Sequence, residues 1–382
     1  MTTGPEPASP APITAALLVA RIDDLMVDAV TALADQSRAP DGILLLDATA
    51  TGELPQRMAE SAQFTAQLPN LSIERVATDC SVHDALRTAM AVDSGPGAVW
   101  LLSGDSVPAQ DALEQLAGAL EHDPTAALAA PKLLDVDRPG RLRRFGIQTT
   151  RSGRLQLGPR VGVPDQQQYD DRMDALAAPA LGALFDREAY ADLGGPLRSF
   201  GALGNDLDYG WRAQLAGHRV LLVPRARISV RANQIGPPTG ADRRDARRVA
   251  LARRPLLLTP FLALWIALSS LAVALGLLLL KRPAAAGRTA ADLAALAERP
   301  GLEPVGDILS ANPGLPPEQR SVWESVWFKG GSEPGVLVLA YRLTAGTRDR
   351  VVFVALSDPR SPLVSHPDGD RKLSELLRRA GE

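Results

Sequence analysis

The sequence predicts a three-layer α/β domain with a parallel sheet, followed by an apolar helix and a small α+β module. Short apolar runs alternate with helical patterns over residues 13–235, an uncharged stretch fills residues 255–280, and two apolar runs joined by a polar turn lie at 336–356. Strands that are apolar throughout and alternate with helices are typical of a parallel sheet that is covered by helices on both faces.

The first part of the domain provides four predicted strands, 13–20, 41–48, 71–77 and 97–105, and four predicted helices, 24–36, 53–66, 82–92 and 109–123. Ligands of open α/β sheets bind at the carboxyl ends of the strands. We therefore expect Asp47 and Asp105, which each follow a buried strand, at the functional edge of the sheet.

The pattern changes after residue 125. Residues 125–137 predict a strand and turn, 142–158 a hairpin, and 159–173 a polar loop. The stretch "GNDLDYGWRAQLAGHRVLLVP" (204–224) predicts a helix that stops at a glycine and leads into an apolar strand. Its Leu207, Trp211 and Leu215 recur every four residues, which predicts that they face the core.

Three polar residues of that helix are candidates for function. Asp206 is predicted at the helix start, where free backbone N–H groups favour an ionised carboxylate that can accept a proton from a hydroxyl; a plain N-cap explains it as well. Asp208 and Arg212 are i,i+4 partners.

Two further candidates lie at predicted strand ends. Asp105 suits a divalent cation that bridges a diphosphate, or else a helix-entry turn. Asp47 suits a hydrogen bond from a nucleobase, or else ends a strand.

Composition excludes several classes of protein. Hydrophobic residues make up 46% of the chain, aromatic residues 4%, and the net charge is −3, which argues against nucleic-acid binding. Cys80 is the single cysteine, so an internal disulfide framework and a cysteine-based zinc site are excluded. A catalytic pair of Cys80 with His83 would need a third group to orient the histidine, and the sequence shows none. The Pro-rich residues 1–12 predict a disordered tail.

Residues 255–280 contain no charge and are long enough to span a bilayer, so they predict a transmembrane helix, with a re-entrant or in-plane apolar helix as the alternative. A basic juxtamembrane segment, 236–254, precedes them and predicts contact with anionic lipid. The excess of arginine on this side favours a cytoplasmic N-terminal domain at the cell membrane. Residues 281–382 predict a linker and a small module with a short helix at 370–380.

Four stretches in a fixed order carry a resemblance: "LLSGDSVPAQDALEQL", "APKLLDVDRPGRLRRFGIQTTRSGR", "ALGALFDREAYADLGG" and "GNDLDYGWRAQLAGHRVLLVPRARI". Over residues 13–282 the chain resembles the family 2 glycosyltransferases, in particular a membrane-associated actinobacterial branch. The resemblance implies a GT-A fold and transfer of a sugar, with inversion, from a nucleotide-sugar donor to a cell-envelope glycan or lipid-linked acceptor. It also implies Mg²⁺ or Mn²⁺ as cofactor.

The resemblance assigns a role to each candidate. Asp105 matches the last aspartate of the metal-binding motif, Asp206 the aspartate that acts as general base, and Asp47 the aspartate that meets the nucleobase. Asp208 and Arg212 match the end of the base motif and are expected to support it. The metal at Asp105 would neutralise the leaving diphosphate, while Asp206 would deprotonate the acceptor hydroxyl.

This sequence departs from the family pattern at several positions. Ser103 and Gly104 replace the acidic run before Asp105, Asn205 replaces an acid before Asp206, and Asp186 stands where an arginine is common. A single carboxylate gives Mg²⁺ less charge compensation than the usual set. Two hypotheses follow: an active membrane-associated glycosyltransferase, or a catalytically degenerate GT-A domain that serves as a membrane-anchored scaffold or assembly partner.

Overall fold

The computed structural model describes residues 11–60, 68, 70–92, 95–150, 153–197, 200–231, 233–253, 259–281, 289, 325–333, 336–345 and 348–357. They group into two units, of which the first carries a nine-stranded sheet with its helices and the second a three-stranded sheet. Most of the predicted tail (1–12) and the predicted helix at 370–380 lie outside the described residues.

The strands of the first unit are β1 (Ile13–Val19), β2 (Gly42–Asp47), β3 (Leu71–Arg75), β4 (Ala98–Ser103), β5 (Ser106–Pro108), β6 (Ala126–Asp135), β7 (Leu142–Arg144), β8 (Gln148–Thr149), β9 (Leu155–Gln156), β10 (Leu184–Asp186) and β11 (Arg219–Val230). The main sheet has the order β3-β2-β1-β4-β10-β6-β11-β5, with β7 paired to β6. β1 to β4 pair in parallel, as predicted, and β10 runs antiparallel between β4 and β6, which makes the sheet mixed.

The helices of the first unit are α1 (Asp24–Ala34), α2 (Leu54–Glu60), α3 (Val82–Val92), α4 (Ala112–His122), α5 (Arg187–Leu193), α6 (Ala202–Leu215), α7 (Gly240–Ala252) and α8 (Thr259–Leu279). Side chains fix several of their starts. Asp23 caps α1 by accepting a hydrogen bond from the Met26 N–H, and Thr239 with Asp242 forms a capping box at α7. Asp186, which departs from the family pattern, caps α5.

The core has two halves, one on each face of the sheet. Because side chains alternate along a strand, Leu17, Leu45 and Leu102 pack on one face. Their immediate neighbours Leu18, Leu44 and Leu101 pack on the other. These six leucines, one from each face of β1, β2 and β4, are buried. The continuous apolar runs of the sequence therefore correspond to strands covered on both faces, as predicted.

Helix α6, which carries the candidate aspartates, begins earlier than the sequence predicts. Gly201 is its N-cap residue, and the Gly201 N–H donates to the Asp245 carboxylate at 2.9 Å. Asp206 therefore lies in the second turn and is not the N-cap. The spacing predicted that Leu215 faces the core, but this residue is 64% exposed. It is the last residue of the helix.

The predicted hairpin at 142–158 divides into two pairings. β7 joins the main sheet through β6, while β8 and β9 form a separate antiparallel pair. In the second unit, β12 (Ser325–Glu333), β13 (Val336–Ala345) and β14 (Arg348–Ser357) form an antiparallel sheet in this order. β13 and β14 lie at the positions of the apolar runs at 336–356, while the helix of the α+β module stays a prediction.

The apolar segment 255–280 contains helix α8. In the part of the chain that the structure describes, no helix combines the length and the apolar character needed to cross a bilayer. The prediction of a transmembrane helix is therefore not confirmed. One narrow stripe of α8 is buried, formed by Ile266, Ser270 and Ala274, and large apolar side chains on its other faces are exposed.

We expect Gly210→Ala to destabilise the fold. A Cβ atom at Gly210 would lie 2.5 Å from the Cβ of Ala177 and from the backbone oxygen of Leu176, so the helix would be pushed away from this segment. Overpacking of this kind costs about 1–3 kcal/mol, measurable as the free energy of unfolding in urea. Gly118→Ala in α4 is the matched control, because nothing lies within 4 Å of its added Cβ. The site is not tightly packed if both variants are as stable as the parent protein.

Candidate functional site

The ends of β1, β4 and β11 meet at one edge of the sheet. Leu18 of β1 pairs with Ser103 of β4, and the Gly104 N–H donates to the Leu18 carbonyl at 2.8 Å. The N–H of Arg231, directly after β11, donates to the Asp105 carbonyl at 3.2 Å. This edge consequently brings Asp105 together with residues that follow two other strands.

The Asp105 carboxylate is held by two arginines and a glutamine. Its Oδ1 lies 3.0 Å from Arg231 Nε and 3.2 Å from an Arg21 guanidinium nitrogen. Its Oδ2 accepts a hydrogen bond from Gln234 Nε2 at 3.0 Å. The Asp105 side chain is 13% exposed, whereas Arg21 is 54% exposed and Arg231 32%. Asp105 thus lies at the base of the group, and the arginines lie closer to the surface.

Asp47 is placed at the same edge but is almost completely buried. Its Oδ1 accepts from the Thr49 N–H and hydroxyl, and its Oδ2 lies 2.9 Å from an Arg75 guanidinium nitrogen. Burial alone would raise the pKa of Asp47, but these hydrogen bonds and the Arg75 charge hold that pKa below its ordinary value. Both oxygens of Asp47 are already bonded. The more accessible group of this pair is the Arg75 side chain, which is 47% exposed.

Asp206 lies in a separate, mostly buried environment. Its Oδ1 accepts from the Ala180 N–H at 2.9 Å and lies 2.8 Å from His83 Nε2, and its side chain is 10% exposed. The side chains of Asp206 and His83 line a small cavity of about 10 Å³, together with apolar neighbours that include Phe185. Arg144, whose pKa is lowered by burial, interacts electrostatically with Asp206.

Asp208 is fully buried and paired with two arginines. Its Oδ2 bonds to Arg212 Nε at 2.9 Å and its Oδ1 to Arg253 Nε at 2.7 Å. Arg212 also donates to the carbonyls of Leu193, Gly194 and Gly195, which close the C-terminal end of α5. The predicted i,i+4 pair is therefore present, and it joins α6 to the turn after α5 and to the end of α7.

The structure brings only some of the predicted residues together. Asp105 contacts residues at the ends of β1 and β11, whereas Asp206 contacts α3 and the segment before β10, and none of the contacts given above is common to both. Arg21 and Arg231 were not among the predicted site residues, although both follow strands, as Asp47 and Asp105 do. The His83–Asp206 contact was not predicted, because no sequence pattern links residues that are so far apart.

Two other features are not part of this candidate site. Burial raises the pKa of the Cys80 thiol to about 11, which disfavours the thiolate, and the Nε2 of the neighbouring His83 contacts Asp206. A cavity of about 430 Å³ is lined by Asp174, Gln214 and Arg219 among others. It lies at the start of β11, the edge opposite to the carboxyl ends, so it is not our candidate active site.

The model of "Glycosyltransferase like family 2" matches residues 10–250, more than half of the chain. The chain belongs to this family. The match includes every residue that the sequence analysis assigned to the site, and the family explains the GT-A-like α/β architecture. A search of curated protein sequences gives no significant match.

Several solved structures of other glycosyltransferases are similar to this chain at low sequence identity. A mannosyltransferase from Pyrobaculum calidifontis in complex with GDP-Man and Mn²⁺ is 20% identical, with a TM-score of 0.45 over 78% of this chain and 79% of that one. S. aureus TarS in complex with UDP-GlcNAc is 12% identical, with a TM-score of 0.46 over 66% and 69%. GalNAc-T7 with UDP, GalNAc and Mn²⁺ is 13% identical, with a TM-score of 0.47 over 63% of this chain. The chain spans about half the length of GalNAc-T7, 47%.

The metal expected for a family 2 member does not fit the residues around Asp105. Both Asp105 oxygens are bonded to cationic or amide groups, and the nearby Asp23 carboxylate is bonded to the Met26 N–H and to Arg231. Mg²⁺ requires oxygen ligands, usually one or two carboxylates. No cluster of three or more His, Cys, Asp or Glu suited to a metal occurs among the described residues.

We expect Asp208→Ala to destabilise this family member strongly. Removing the carboxylate leaves Arg212 and Arg253 buried without a counter-charge, a loss that typically costs about 3–5 kcal/mol. The free energy of unfolding in urea measures it. Glu121→Ala is the control, since it removes an exposed carboxylate that also pairs with an arginine, Arg38, and such pairs contribute about 0–1 kcal/mol. Equal losses in the two variants would show that the buried network does not stabilise the fold.

Proposed function

We propose that the chain transfers a sugar, with inversion, from a nucleotide-sugar donor to a hydroxyl of a cell-envelope glycan or lipid-linked acceptor. One observation carries the proposal: within a family 2 glycosyltransferase domain, the ends of β1, β4 and β11 bring Arg21, Asp105 and Arg231 to one edge of the sheet. Charged and hydrogen-bonding groups at the carboxyl ends of strands are what a nucleoside diphosphate needs.

The donor extends along this edge from β2 to β4. Asp47 ends β2 and Asp105 follows β4, with β1 between them. Since neighbouring strands lie about 4.8 Å apart, the two positions are separated by roughly 10 Å, which suits an elongated ligand such as a nucleotide. In this arrangement the Arg75 guanidinium, fixed by Asp47, faces the nucleoside end of the donor.

Asp206 acts as the general base in this proposal. The acceptor hydroxyl oxygen forms a bond to the anomeric carbon, its proton passes to the Asp206 carboxylate, and the bond from the anomeric carbon to the diphosphate oxygen breaks. The electron pair leaves with the diphosphate, so attack from the opposite face inverts the configuration. His83 and the Ala180 N–H both bind Oδ1, which orients the carboxylate. None of the hydrogen bonds among the described residues uses Oδ2, the oxygen that would take the proton.

The scaffold hypothesis is the second candidate, and one observation favours it. The Asp206 side chain is 10% exposed and adjoins a cavity of about 10 Å³, too small for a sugar hydroxyl and its ring. An active enzyme therefore requires the segment around Ala180 to open when substrate binds. Catalytic hydrogen bonds often form fully only in the substrate complex. A measurement of activity therefore distinguishes the enzyme from the scaffold.

We expect Asp206→Asn to bind the donor like the parent protein but to release nucleoside diphosphate from UDP-GlcNAc or GDP-Man about 10²–10⁴-fold more slowly, the usual contribution of a general base. Hydrolysis of the donor in detergent, with water as the acceptor, is measured by an assay for free UDP and GDP. Donor binding is measured by calorimetry. Asp192→Asn, which removes an exposed carboxylate of α5, is the control. Equal release by Asp206→Asn and the parent would remove Asp206 from the mechanism. Donor binding without release by the parent would favour the scaffold.

We also propose that α8 lies on the surface of the cell membrane and that the sheet-bearing domain is cytoplasmic. Among the described residues, seven large apolar side chains of α8 are more than half exposed: Phe261, Leu264, Trp265, Leu268, Leu271, Leu275 and Leu279. The arginine-rich helix α7 directly precedes them. An apolar helix beside a basic segment is typical of a protein that binds anionic lipid. Part of the basic segment faces the protein, however, since Arg247 is buried and Arg253 binds Asp208.

The protein is expected to float with vesicles that contain anionic phosphatidylglycerol. Replacing Trp265 and Leu268 together by glutamate should weaken this association at least tenfold, because each buried apolar side chain contributes about 1.5–3 kcal/mol. Met173→Glu is a suitable control, since Met173 is 61% exposed, close to the 64% of Trp265, and lies outside α8. The proposal fails if the double variant floats as well as the parent, or if the parent does not float.

A further inference from the structure

We propose that Arg21 and Arg231 supply the positive charge that binds the donor diphosphate, and that Asp105 positions these arginines and does not bind a divalent cation. The inference rests on the proposed function, because it concerns the diphosphate of that donor. It departs from the expectation of Mg²⁺ or Mn²⁺, which the family resemblance placed at Asp105.

The bonding of Asp105 argues against a cation at this carboxylate. Oδ1 is shared by Arg21 at 3.2 Å and Arg231 at 3.0 Å, and Oδ2 is bonded to Gln234 at 3.0 Å. A divalent cation at this carboxylate would have to displace these groups and would then lie beside two positive charges. Like charges at such short range repel one another strongly, and more so near a protein surface than in bulk water. The neighbouring Ser103 and Gly104 offer no second carboxylate to offset that repulsion.

Arg231 is fixed in place by three groups. Its backbone N–H donates to the Asp105 carbonyl, its Nε lies against the Asp105 carboxylate, and its terminal nitrogen lies 3.1 Å from Asp23 Oδ2. Asp23 is itself fixed, because it caps α1. Arg231 therefore has little rotamer freedom left to lose when a ligand binds, and its side chain is still 32% exposed.

Arg21 is the more accessible member of the pair. It contacts Asp105 through a single guanidinium nitrogen and is 54% exposed. A guanidinium group has five N–H donors in a planar fork that matches two phosphate oxygens. The donors that Asp105 does not use can therefore turn toward a ligand above the strand ends without leaving the carboxylate.

The two arginines also meet the demand of the bond cleavage. When the bond between the anomeric carbon and the diphosphate oxygen breaks, that oxygen gains negative charge. Arginines that are already oriented stabilise this charge without reorganising at the moment of reaction. The electron pair and the charge stay on the diphosphate, so no further reactant is needed for the step to balance.

The experiment is calorimetry of UDP and GDP binding to the full chain in detergent, with EDTA and, separately, with Mg²⁺ or Mn²⁺. We expect equal affinity in both conditions. Arg21→Gln and Arg231→Gln should each weaken binding about tenfold or more, the usual effect of removing a hydrogen bond to a charged group. Arg231→Lys should retain part of the affinity, since it keeps the charge but loses the fork. Asp105→Asn should weaken binding by the same factor with EDTA and with metal.

Arg219→Gln is the matched control. Arg219 begins β11, at the other end of the strand that Arg231 follows, and it also pairs with two aspartates, Asp123 and Asp174. Its replacement should leave nucleotide affinity unchanged, and the unfolding temperature of each variant shows whether it is folded.

Two patterns overturn the inference while the proposed function stands. One is nucleotide binding that requires metal and is abolished by Asp105→Asn; the other is metal-free binding that neither arginine variant weakens. If folded protein binds neither UDP nor GDP in any condition, both the inference and the proposed donor are wrong. Metal-free binding that depends on the two arginines, without a change in Arg219→Gln, supports the inference.

Discussion

The geometry of this domain depends on the two ion pairs of the buried Asp208 carboxylate. An ionised group without solvent contact is costly unless it is paired and hydrogen-bonded, and Asp208 is paired with both Arg212 and Arg253. Arg212 extends the network to the carbonyls at the end of α5. The position of α6, and with it that of Asp206, is therefore fixed by charge as well as by apolar packing.

The candidate site follows from a second constraint, the common direction of the strands. β1, β4 and β11 point the same way, so the residues after them meet at one edge even though they are far apart in the sequence. At this edge Ser103 and Gly104 stand where the family pattern has acids, and the remaining acid, Asp105, is bonded to Arg21 and Arg231. In our proposal these two arginines supply the positive charge that binds the donor diphosphate.

The arginine-rich segment before α8 makes contacts inside the domain. Arg253 lies in the interior and balances Asp208, and Asp245 of the same helix binds the N–H of Gly201 at the start of α6. The helix that leads to the apolar segment is therefore attached directly to the helix that carries Asp206.

The sequence by itself determined the parallel part of the sheet, because an apolar run covered on both faces is a local pattern that needs no partner to be recognised. The same pattern placed Asp47 and Asp105 at strand ends. Only the tertiary structure decided the use of each charge: Asp105 binds Arg21 and Arg231, Asp206 binds His83, and part of the predicted lipid-facing run binds Asp208. The physical reason is that an ion pair depends on distance in space, and residues 45 or more positions apart leave no periodic trace in the sequence when they pair.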